Sequence, residues 1–175
     1  VLGKPLGVGV LSAALKKEQL SEAGYRQLID STTRLNTPGI ALAALPGVHA
    51  LTDVTGFGLA GHALELARGA GLTAVIEWSK VPRLEGVEAL AAEGFVTGAS
   101  GRNWSGYGAE GALAAGLPAT AQALASDPQT AGGLLVSCAP EAVDAVLEIF
   151  RSEGFGAAAV SGHTEAGPPG LRIQT

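Results

Sequence analysis

The sequence predicts one layered domain of helices and strands, of the α/β or α+β class. Short apolar runs typical of strands alternate along the chain with segments whose apolar residues have helical spacing. The length of 175 residues suits a single hydrophobic core. Hydrophobic residues make up 47% of the chain but are spread along it, and no apolar run reaches the roughly 18 to 20 residues that cross a membrane.

The first quarter of the chain is predicted to be extended and then helical. Residues 1–10 contain a proline and several glycines, which is typical of an interrupted strand, and residues 12–17 are predicted to start a helix. Thr37 and Pro38 suit the N-cap and the first turn of a short helix. A longer helix before them is predicted by the spacing of Tyr25, Leu28, Ile29, Thr32 and Leu35.

The middle of the chain is predicted to contain a strand, glycine loop and helix unit. The strand is residues 48–51, and the loop is residues 52–58, with the sequence TDVTGFG. Residues 96–108 are rich in Gly and Ser and are predicted to form a loop long enough to suggest a function. The other predicted elements are a strand at 72–78, a helix at 86–93 and two alanine-rich helical pieces around Pro118.

The last quarter is predicted to hold a buried strand, a helix and two further strands. The buried strand is residues 134–138, and its cysteine, Cys138, is predicted to be an unreactive thiol in the middle of a sheet. Strands at 157–160 and 171–174 are predicted on either side of a turn at 167–170. The intervening helix is predicted from Pro140 in its first turn, from Gly154 at its end, and from a stripe of Val143, Val146, Leu147 and Phe150.

Charge and composition limit the partners. The formal net charge is -5 and the longest basic run is Lys16–Lys17, which argues against a surface for nucleic-acid backbones. The chain shows no secretion-signal pattern and no membrane span, so we expect a cytoplasmic protein with no membrane partner.

Glycine is unusually frequent, at 26 of 175 residues. Three glycine-rich segments, at 52–58, 98–108 and 127–133, offer backbone N–H groups of the kind that bind polyphosphates. None of them contains the Gly-Lys-[Ser/Thr] sequence of a P-loop. Phosphate binding and ordinary tight turns therefore both remain possible explanations.

Asp53 is the candidate metal ligand, because it follows a strand directly and lies between two threonines. Its carboxylate could bind Mg²⁺, or Asp53 or Thr55 could cap the next helix. Asp127 has the same ambiguity, with a turn as the simpler interpretation. His62 is interpreted as a packing or hydrogen-bonding residue. The sequence shows no nucleophile constellation and no metal-ligand spacing between histidine and cysteine.

Several exact strings stand out in the sequence: KPLG at 4–7, TDVTGFG at 52–58 with GH at 61–62, RN at 102–103, and DPQT at 127–130 with GG at 132–133. Together they resemble the carboxy-terminal half of the selenophosphate synthetases, also called selenide, water dikinases, in the same order and with similar spacing. The resemblance covers nearly the whole chain. That family is related to aminoimidazole ribonucleotide synthetase.

The resemblance implies that residues 1–175 are the carboxy-terminal domain of a two-domain ATP-dependent synthetase whose amino-terminal ATP-binding domain is absent. It implies an α+β fold with a mixed sheet, and a full-length protein that is a homodimer. The family makes selenophosphate, AMP and phosphate from ATP, selenide and water, using Mg²⁺. Its catalytic cysteine or selenocysteine and its essential lysine lie in the absent part. The resemblance therefore implies that this chain alone is inactive, and that Cys138 is not the catalytic residue.

The resemblance also implies roles for residues of this chain. Asp53 occupies the position of a family aspartate that helps to hold Mg²⁺ at the ATP phosphates. Two positions depart from the family pattern, since Gly3 stands where threonine is usual and Ala131 where serine is usual. The loops expected to border the nucleotide and phosphate cleft contribute Lys4, Thr55, Asn103, Thr130 and Gly132.

Two alternatives remain open at the level of sequence. The chain could belong to another synthetase of the same superfamily, such as a purine-biosynthetic enzyme. It could also be a noncatalytic interaction domain.

Overall fold

The computed structural model describes all residues, Val1–Thr175, and contains eight α-helices and six strands, with three helices before the first strand. The helices are α1 Val8–Lys16, α2 Glu22–Thr33, α3 Pro38–Ala44, α4 Gly58–Ala70, α5 Val87–Ala92, α6 Gly98–Tyr107, α7 Ala121–Ala125 and α8 Val143–Ser152. The strands are β1 Val48–Asp53, β2 Leu72–Glu77, β3 Gly111–Leu113, β4 Leu134–Cys138, β5 Gly162–Ala166 and β6 Gly170–Gln174.

The strands form two separate sheets. Four of them make a mixed sheet in the order β3-β6-β2-β5, in which β3, β6 and β2 are parallel and β5 is antiparallel to β2. The other two, β1 and β4, form an antiparallel ladder. A mixed sheet with helices packed on it confirms the α+β class expected from the sequence. None of the helices combines the length and apolar character that crossing a bilayer requires.

The larger hydrophobic core lies between the mixed sheet and α4, with α1, α5 and α7 closing it. Helix α4 packs against β2 and β6 because Leu59, Ala63 and Ala67, spaced four residues apart, are all buried on one face. Leu171 and Ile173 of β6 supply the facing side chains and are nearly inaccessible to solvent. This core fixes the position of α4, and therefore of the loop that precedes it.

A smaller core joins the β1–β4 ladder to α3 and α8. Val146 and Phe150 of α8 are fully buried, as the apolar stripe predicted. The Phe150 ring also explains the unusual glycine at position 3, because a Cβ on Gly3 would lie 2.5 Å from a ring carbon. The residue expected there in the family, threonine, would collide with this ring.

Two predictions of loop and extended structure were wrong. Residues 8–10 are helical rather than extended, and α1 begins at Val8 instead of at residue 12. Residues 98–107 form α6 rather than a long loop. The hydroxyl of Thr97 caps this helix by accepting a hydrogen bond from the N–H of Ser100 at 3.1 Å. A cap and tertiary contacts thus outweigh the low helix propensity of the glycines.

Three further predictions were wrong because pairing partners lie far away in the chain. The segment before Pro118 contains strand β3, which pairs with β6. The penultimate strand is at 162–166, and residues 157–160 make only a bridge between Ala159 and Leu2. Strand β4 pairs with β1 on one side and makes hydrogen bonds with Val1 and Gly3 on the other, but Cys138 at its end is only partly buried. The prediction that Cys138 is a fully buried thiol was therefore wrong.

Asp127 and Gln129 cap helix α1 from a distant part of the chain. The Oδ2 atom of Asp127 accepts hydrogen bonds from the N–H groups of Gly9 at 2.9 Å and Val10 at 3.2 Å. The Oε1 atom of Gln129 accepts from the N–H groups of Gly7 and Val8, at 3.2 and 3.3 Å. These are the N–H groups at the start of a helix that have no partner within it. The Nε2 atom of Gln129 also donates to Asp127 Oδ2 at 2.9 Å.

The Asp127 carboxyl is held in an environment that disfavours its charge. Burial raises its pKa to about 6, although the hydrogen bonds from Gln129, Val10 and Gly9 act in the opposite direction. Its second oxygen, Oδ1, is buried without a hydrogen-bond partner. The folded protein consequently binds a proton at Asp127 more tightly than the unfolded chain does, and this contribution to stability is lost as pH rises.

We predict that Asp127→Asn removes a pH dependence of stability. The pKa of Asp127 is raised from its ordinary value of 3.8 to about 6. The free energy of unfolding of the wild type, relative to that of Asp127→Asn, should therefore fall by on the order of 3 kcal/mol between about pH 3 and about pH 7 and be constant above that. Urea unfolding of both proteins across this range measures the difference.

Asp144→Asn is the matched control, because Asp144 is an exposed carboxylate on α8. This control should keep the wild-type pH dependence. Parallel stability profiles for the wild type and Asp127→Asn would contradict the assignment of the raised pKa to Asp127.

Candidate functional site

The β1–β4 ladder brings two glycine-containing segments of the sequence side by side: residues 52–58, here called the Asp53 loop, and residues 127–133, the Asp127 loop. Because the strands are antiparallel, the last residue of β1, Asp53, pairs with the first residue of β4, Leu134. The ladder continues into the loops, where the N–H of Val54 donates to the carbonyl of Gly133 at 2.9 Å. The N–H of Gln129 donates to the carbonyl of Thr55 at 3.0 Å.

Helix α6 holds the two loops together from a third side. The Nδ2 atom of Asn103 donates to the carbonyl of Gly56 at 2.7 Å and to that of Ser126 at 3.0 Å. The hydroxyl of Tyr107 donates to the carbonyl of Phe57 at 2.7 Å, and burial raises the pKa of Tyr107 to about 12, so it keeps its hydrogen. The three glycine-rich segments singled out in the sequence therefore meet in space, although the second of them is a helix.

Gly132 allows the Asp127 loop to close on the Asp53 loop. A Cβ at this position would lie 2.0 Å from the carbonyl oxygen of Val54, which no side chain could tolerate. The carbonyl of Gly132 accepts a hydrogen bond from Asn36 Nδ2 at 2.8 Å. Gly132 is thus required by close packing of main chain against main chain.

Asp53 is the exposed member of this site. Its side chain makes no hydrogen bond or ion pair, while its main chain pairs with Leu134 and its carbonyl accepts from the Thr52 hydroxyl at 3.2 Å. Capping of α4, the alternative considered from sequence, is excluded because the N-cap residue is Phe57 and no side chain caps this helix. The carboxylate of Asp53 is therefore free to bind a ligand at the edge of the ladder.

The donor set of the chain fits one part of a magnesium site. A free, exposed carboxylate is a ligand that Mg²⁺ accepts, and protein sites for Mg²⁺ commonly supply one or two carboxylates together with substrate phosphates. No group of three or more acidic, histidine or cysteine side chains is placed to hold a metal ion. Asp53 fits as a single ligand among others that this chain does not provide.

Thr55 and His62 form a contact beneath the Asp53 loop. Thr55 Oγ1 lies 3.2 Å from His62 Nε2, and His62 is buried. The other ring nitrogen, Nδ1, lies 3.0 Å from Glu65 Oε2, although off the line of a hydrogen bond. The ring of Phe57 covers His62 at 5.8 Å between centroids. His62 is thus a hydrogen-bonding residue, as the sequence predicted.

Lys4 and Thr130 differ in their exposure to solvent. Lys4 is buried, and its Nζ donates to the carbonyls of Ser31, Arg34 and Ala131 at 3.2, 2.6 and 2.7 Å. Burial, and then the nearby Arg34, lower the pKa of Lys4. All three of its hydrogens are used, so a phosphate contact would require Lys4 to exchange one of these bonds. Thr130 is exposed in the turn.

Ala131, which stands where the family pattern has serine, carries an unusual backbone. Its φ of 50° lies in the left-handed region, which is uncommon for a residue other than glycine. Its carbonyl is one of the three acceptors of the Lys4 ammonium. The main chain of Ala131 therefore holds the turn.

Sequence reasoning missed the residues that hold the site from a distance. From the sequence, a turn is the simpler interpretation of Asp127 while metal binding and helix capping stay open, and no individual role is predicted for Gln129, Asn36 or Tyr107. Their partners lie between 50 and 122 residues away along the chain, so no local pattern marks them. For Asp127 and Gln129 the available signal was their position inside the DPQT string; Asn36 and Tyr107 lie outside every string that carries the family resemblance.

Comparison with known proteins matches the family described as AIR synthase related protein, C-terminal domain, over residues 1–173. The chain is 68% identical over 168 residues to a selenide, water dikinase of Burkholderia ambifaria, covering 96% of this chain and 48% of that protein. It is 62% identical over 169 residues to the selenide, water dikinase of Pseudomonas straminea, covering 97% of this chain and 47% of that protein. The chain thus spans about half the length of these curated relatives.

Solved structures with the same fold include hydrogenase maturation proteins. Escherichia coli HypE superposes with a TM-score of 0.67 at 22% identity, over 98% of this chain and 44% of HypE. A HypE in complex with ATP superposes with a TM-score of 0.67 at 17% identity, over 98% of this chain and 45% of that protein. At these identities the likeness shows the fold alone. Together, the matched family and the shared fold show that the chain belongs to the AIR synthase related proteins, as their C-terminal domain, with selenide, water dikinases among its high-identity relatives.

Proposed function

We propose that this chain is the carboxy-terminal domain of a selenide, water dikinase, which makes selenophosphate, AMP and phosphate from ATP, selenide and water. The observation that carries the proposal is the free carboxylate of Asp53, at the edge of a ladder whose two loops are fixed by hydrogen bonds. An identity of 68% to a selenide, water dikinase favours this enzyme over a purine-biosynthetic synthetase or an interaction domain.

In the proposed site, Asp53 is a ligand of Mg²⁺ at the ATP phosphates. When bound, Mg²⁺ would neutralise phosphate charge and orient the transferred group. Asp53 is suited to this role because its carboxylate is exposed and bonded to no other group. The remaining ligands would come from the nucleotide and from the other domain, since this chain provides no cluster of acidic side chains.

The other candidate residues are proposed to border the nucleotide in two ways. Thr130 and Thr55, on the exposed turn and on the Asp53 loop, are proposed to contact ligand groups directly. Asn103, Gly132 and Lys4 are proposed to act by fixing the loops, because their polar groups or their lack of a side chain are already used for that purpose.

The amino-terminal domain is the proposed partner. It would supply the catalytic cysteine or selenocysteine, the essential lysine and the additional acidic ligands, and would join this domain in a full-length homodimer that works in the cytoplasm. Support for a missing half comes from the relatives, which are about twice as long as the matched region. A HypE with this fold binds ATP, which is consistent with a nucleotide site in the complete protein.

We predict that the 175-residue chain folds but forms no AMP from ATP and selenide. Its two hydrophobic cores close within the chain, whereas the proposed nucleophile, lysine and further metal ligands lie outside it. Quantifying AMP after incubation with ATP, Mg²⁺ and selenide tests this, with the full-length protein as the positive control. Selenide-dependent AMP release by the purified chain would contradict the proposed division of the enzyme.

We predict that Asp53→Asn in the full-length protein lowers kcat by about two orders of magnitude or more, because a metal that stabilises charge in the transition state loses a ligand. Asn has nearly the same size, and Asp53 makes no side-chain hydrogen bond, so the thermal unfolding midpoint should hardly change. AMP formation across a Mg²⁺ titration is the measurement.

Asp144→Asn removes the same charge from α8, outside the loops of the site, and should leave turnover unchanged. If Asp53→Asn retained the turnover and the Mg²⁺ dependence of the wild type, the metal assignment would be abandoned.

A further inference from the structure

His62 is buried under the Asp53 loop and is not used by the proposed reaction. It lies in the first half of α4 and is 7% exposed. Its two ring nitrogens meet chemically different neighbours: Nε2 lies 3.2 Å from the Thr55 hydroxyl, and Nδ1 lies 3.0 Å from a carboxylate oxygen of Glu65. A hydroxyl can donate or accept a hydrogen bond, whereas an ionised carboxylate can only accept one.

The carboxylate therefore selects the tautomer of the neutral ring. With the hydrogen on Nε2, the negative oxygen of Glu65 would lie 3.0 Å from the unprotonated, electron-rich Nδ1, which is repulsive at this distance although the oxygen lies off the hydrogen-bond line. With the hydrogen on Nδ1, that contact becomes attractive, and Nε2 becomes an acceptor. The Thr55 hydroxyl must then donate its one hydrogen to His62 Nε2.

The direction of this hydrogen bond decides what Thr55 can bind. A hydroxyl that has given its hydrogen to His62 has only lone pairs left for a ligand. Phosphate oxygens also carry lone pairs and cannot bond to it, whereas a cation or a cation-bound water can. We propose that His62 is a positioning residue that commits the hydrogen of Thr55, so that Thr55 Oγ1 contacts the Mg²⁺ side of the site next to Asp53 rather than the phosphate.

The main chain around Thr55 supports a fixed orientation of its hydroxyl. The carbonyl of Thr55 accepts hydrogen bonds from the N–H groups of Gly58 at 3.1 Å and Gln129 at 3.0 Å. These two bonds fix the main chain of Thr55. The Phe57 ring lies next to the His62 ring, with 5.8 Å between their centroids, and restricts the movement of the imidazole. The inference rests on the proposed function for the presence of Mg²⁺, but the hydrogen-bond direction can be measured without it.

The first test measures the tautomer directly. The chain has three histidines, so ¹⁵N-histidine labelling gives few signals, and His62→Gln assigns those of His62. At pH 8, above the ordinary titration range of histidine, long-range ¹H–¹⁵N spectra should show Nδ1 protonated and Nε2 bare. A hydrogen on Nε2, whether in the other neutral tautomer or in an imidazolium ring, would overturn the proposal.

The second test measures metal binding in the full-length protein with a non-hydrolysable ATP analogue, using Mn²⁺ as the probe and its electron paramagnetic resonance signal as the readout. His62→Leu should raise the Mn²⁺ dissociation constant by roughly three- to tenfold, the range expected for one lost hydrogen bond. The same change made in a Thr55→Val background should have no further effect. Independent, multiplicative effects of the two substitutions would overturn the proposal.

Conservative variants separate positioning from packing. His62→Gln, which can present an acceptor oxygen to Thr55, and Thr55→Ser, which keeps the hydroxyl, should bind Mn²⁺ within about twofold of the wild type. If both behave like the disruptive variants, His62 serves packing alone and the proposal fails. Asp53→Asn tests the proposed function separately: unchanged Mn²⁺ binding in that variant would reject the metal site while leaving the measured tautomer to stand.

Discussion

The start of helix α1 imposes the constraint on which the site depends, because its first N–H groups are buried and must find acceptors. Asp127 and Gln129 supply those acceptors from more than 115 residues away. Once these two side chains are fixed to α1, the loop that carries them cannot move independently. The N–H of Gln129 then holds Thr55, and Gly132 packs against Val54, so the cap on α1 sets the position of the loop that presents Asp53.

Two aspartates with similar local sequences therefore have opposite roles. Asp127 is almost inaccessible, accepts hydrogen bonds through one oxygen and has its pKa raised by burial. Asp53 is exposed, and its carboxylate makes no hydrogen bond or ion pair. A buried carboxylate is retained where it satisfies main-chain N–H groups that have no other partner, and an exposed one costs the fold little and is available to a ligand. The difference comes from burial, which a single sequence does not display.

The sequence predicts the elements whose signals are local. The stripe that ends in Phe150 is a helix, and residues 48–51 and 134–138 are strands, because periodicity within a segment is sufficient to identify them. It failed where a distant partner decides the conformation, as for β3, which is a strand because it pairs with β6, and for α6, whose Asn103 and Tyr107 are held by two loops. The strings that resemble the family did identify the segments that meet at the site. The hydrogen bonds that join them could not be inferred from spacing.

The electrostatics of the proposed site explain why a bare carboxylate belongs beside a polyphosphate. The chain already carries a formal net charge of -5, and Lys4 has no hydrogen left to offer. Two unit negative charges 4 Å apart repel by about 4 kcal/mol at an effective dielectric constant of about 20. Asp53 would thus oppose nucleotide binding if it faced the phosphates directly. With a divalent cation between them, the same charge becomes attractive to both neighbours, and a hydroxyl that presents only lone pairs, as proposed for Thr55, adds to that attraction rather than competing for the phosphate.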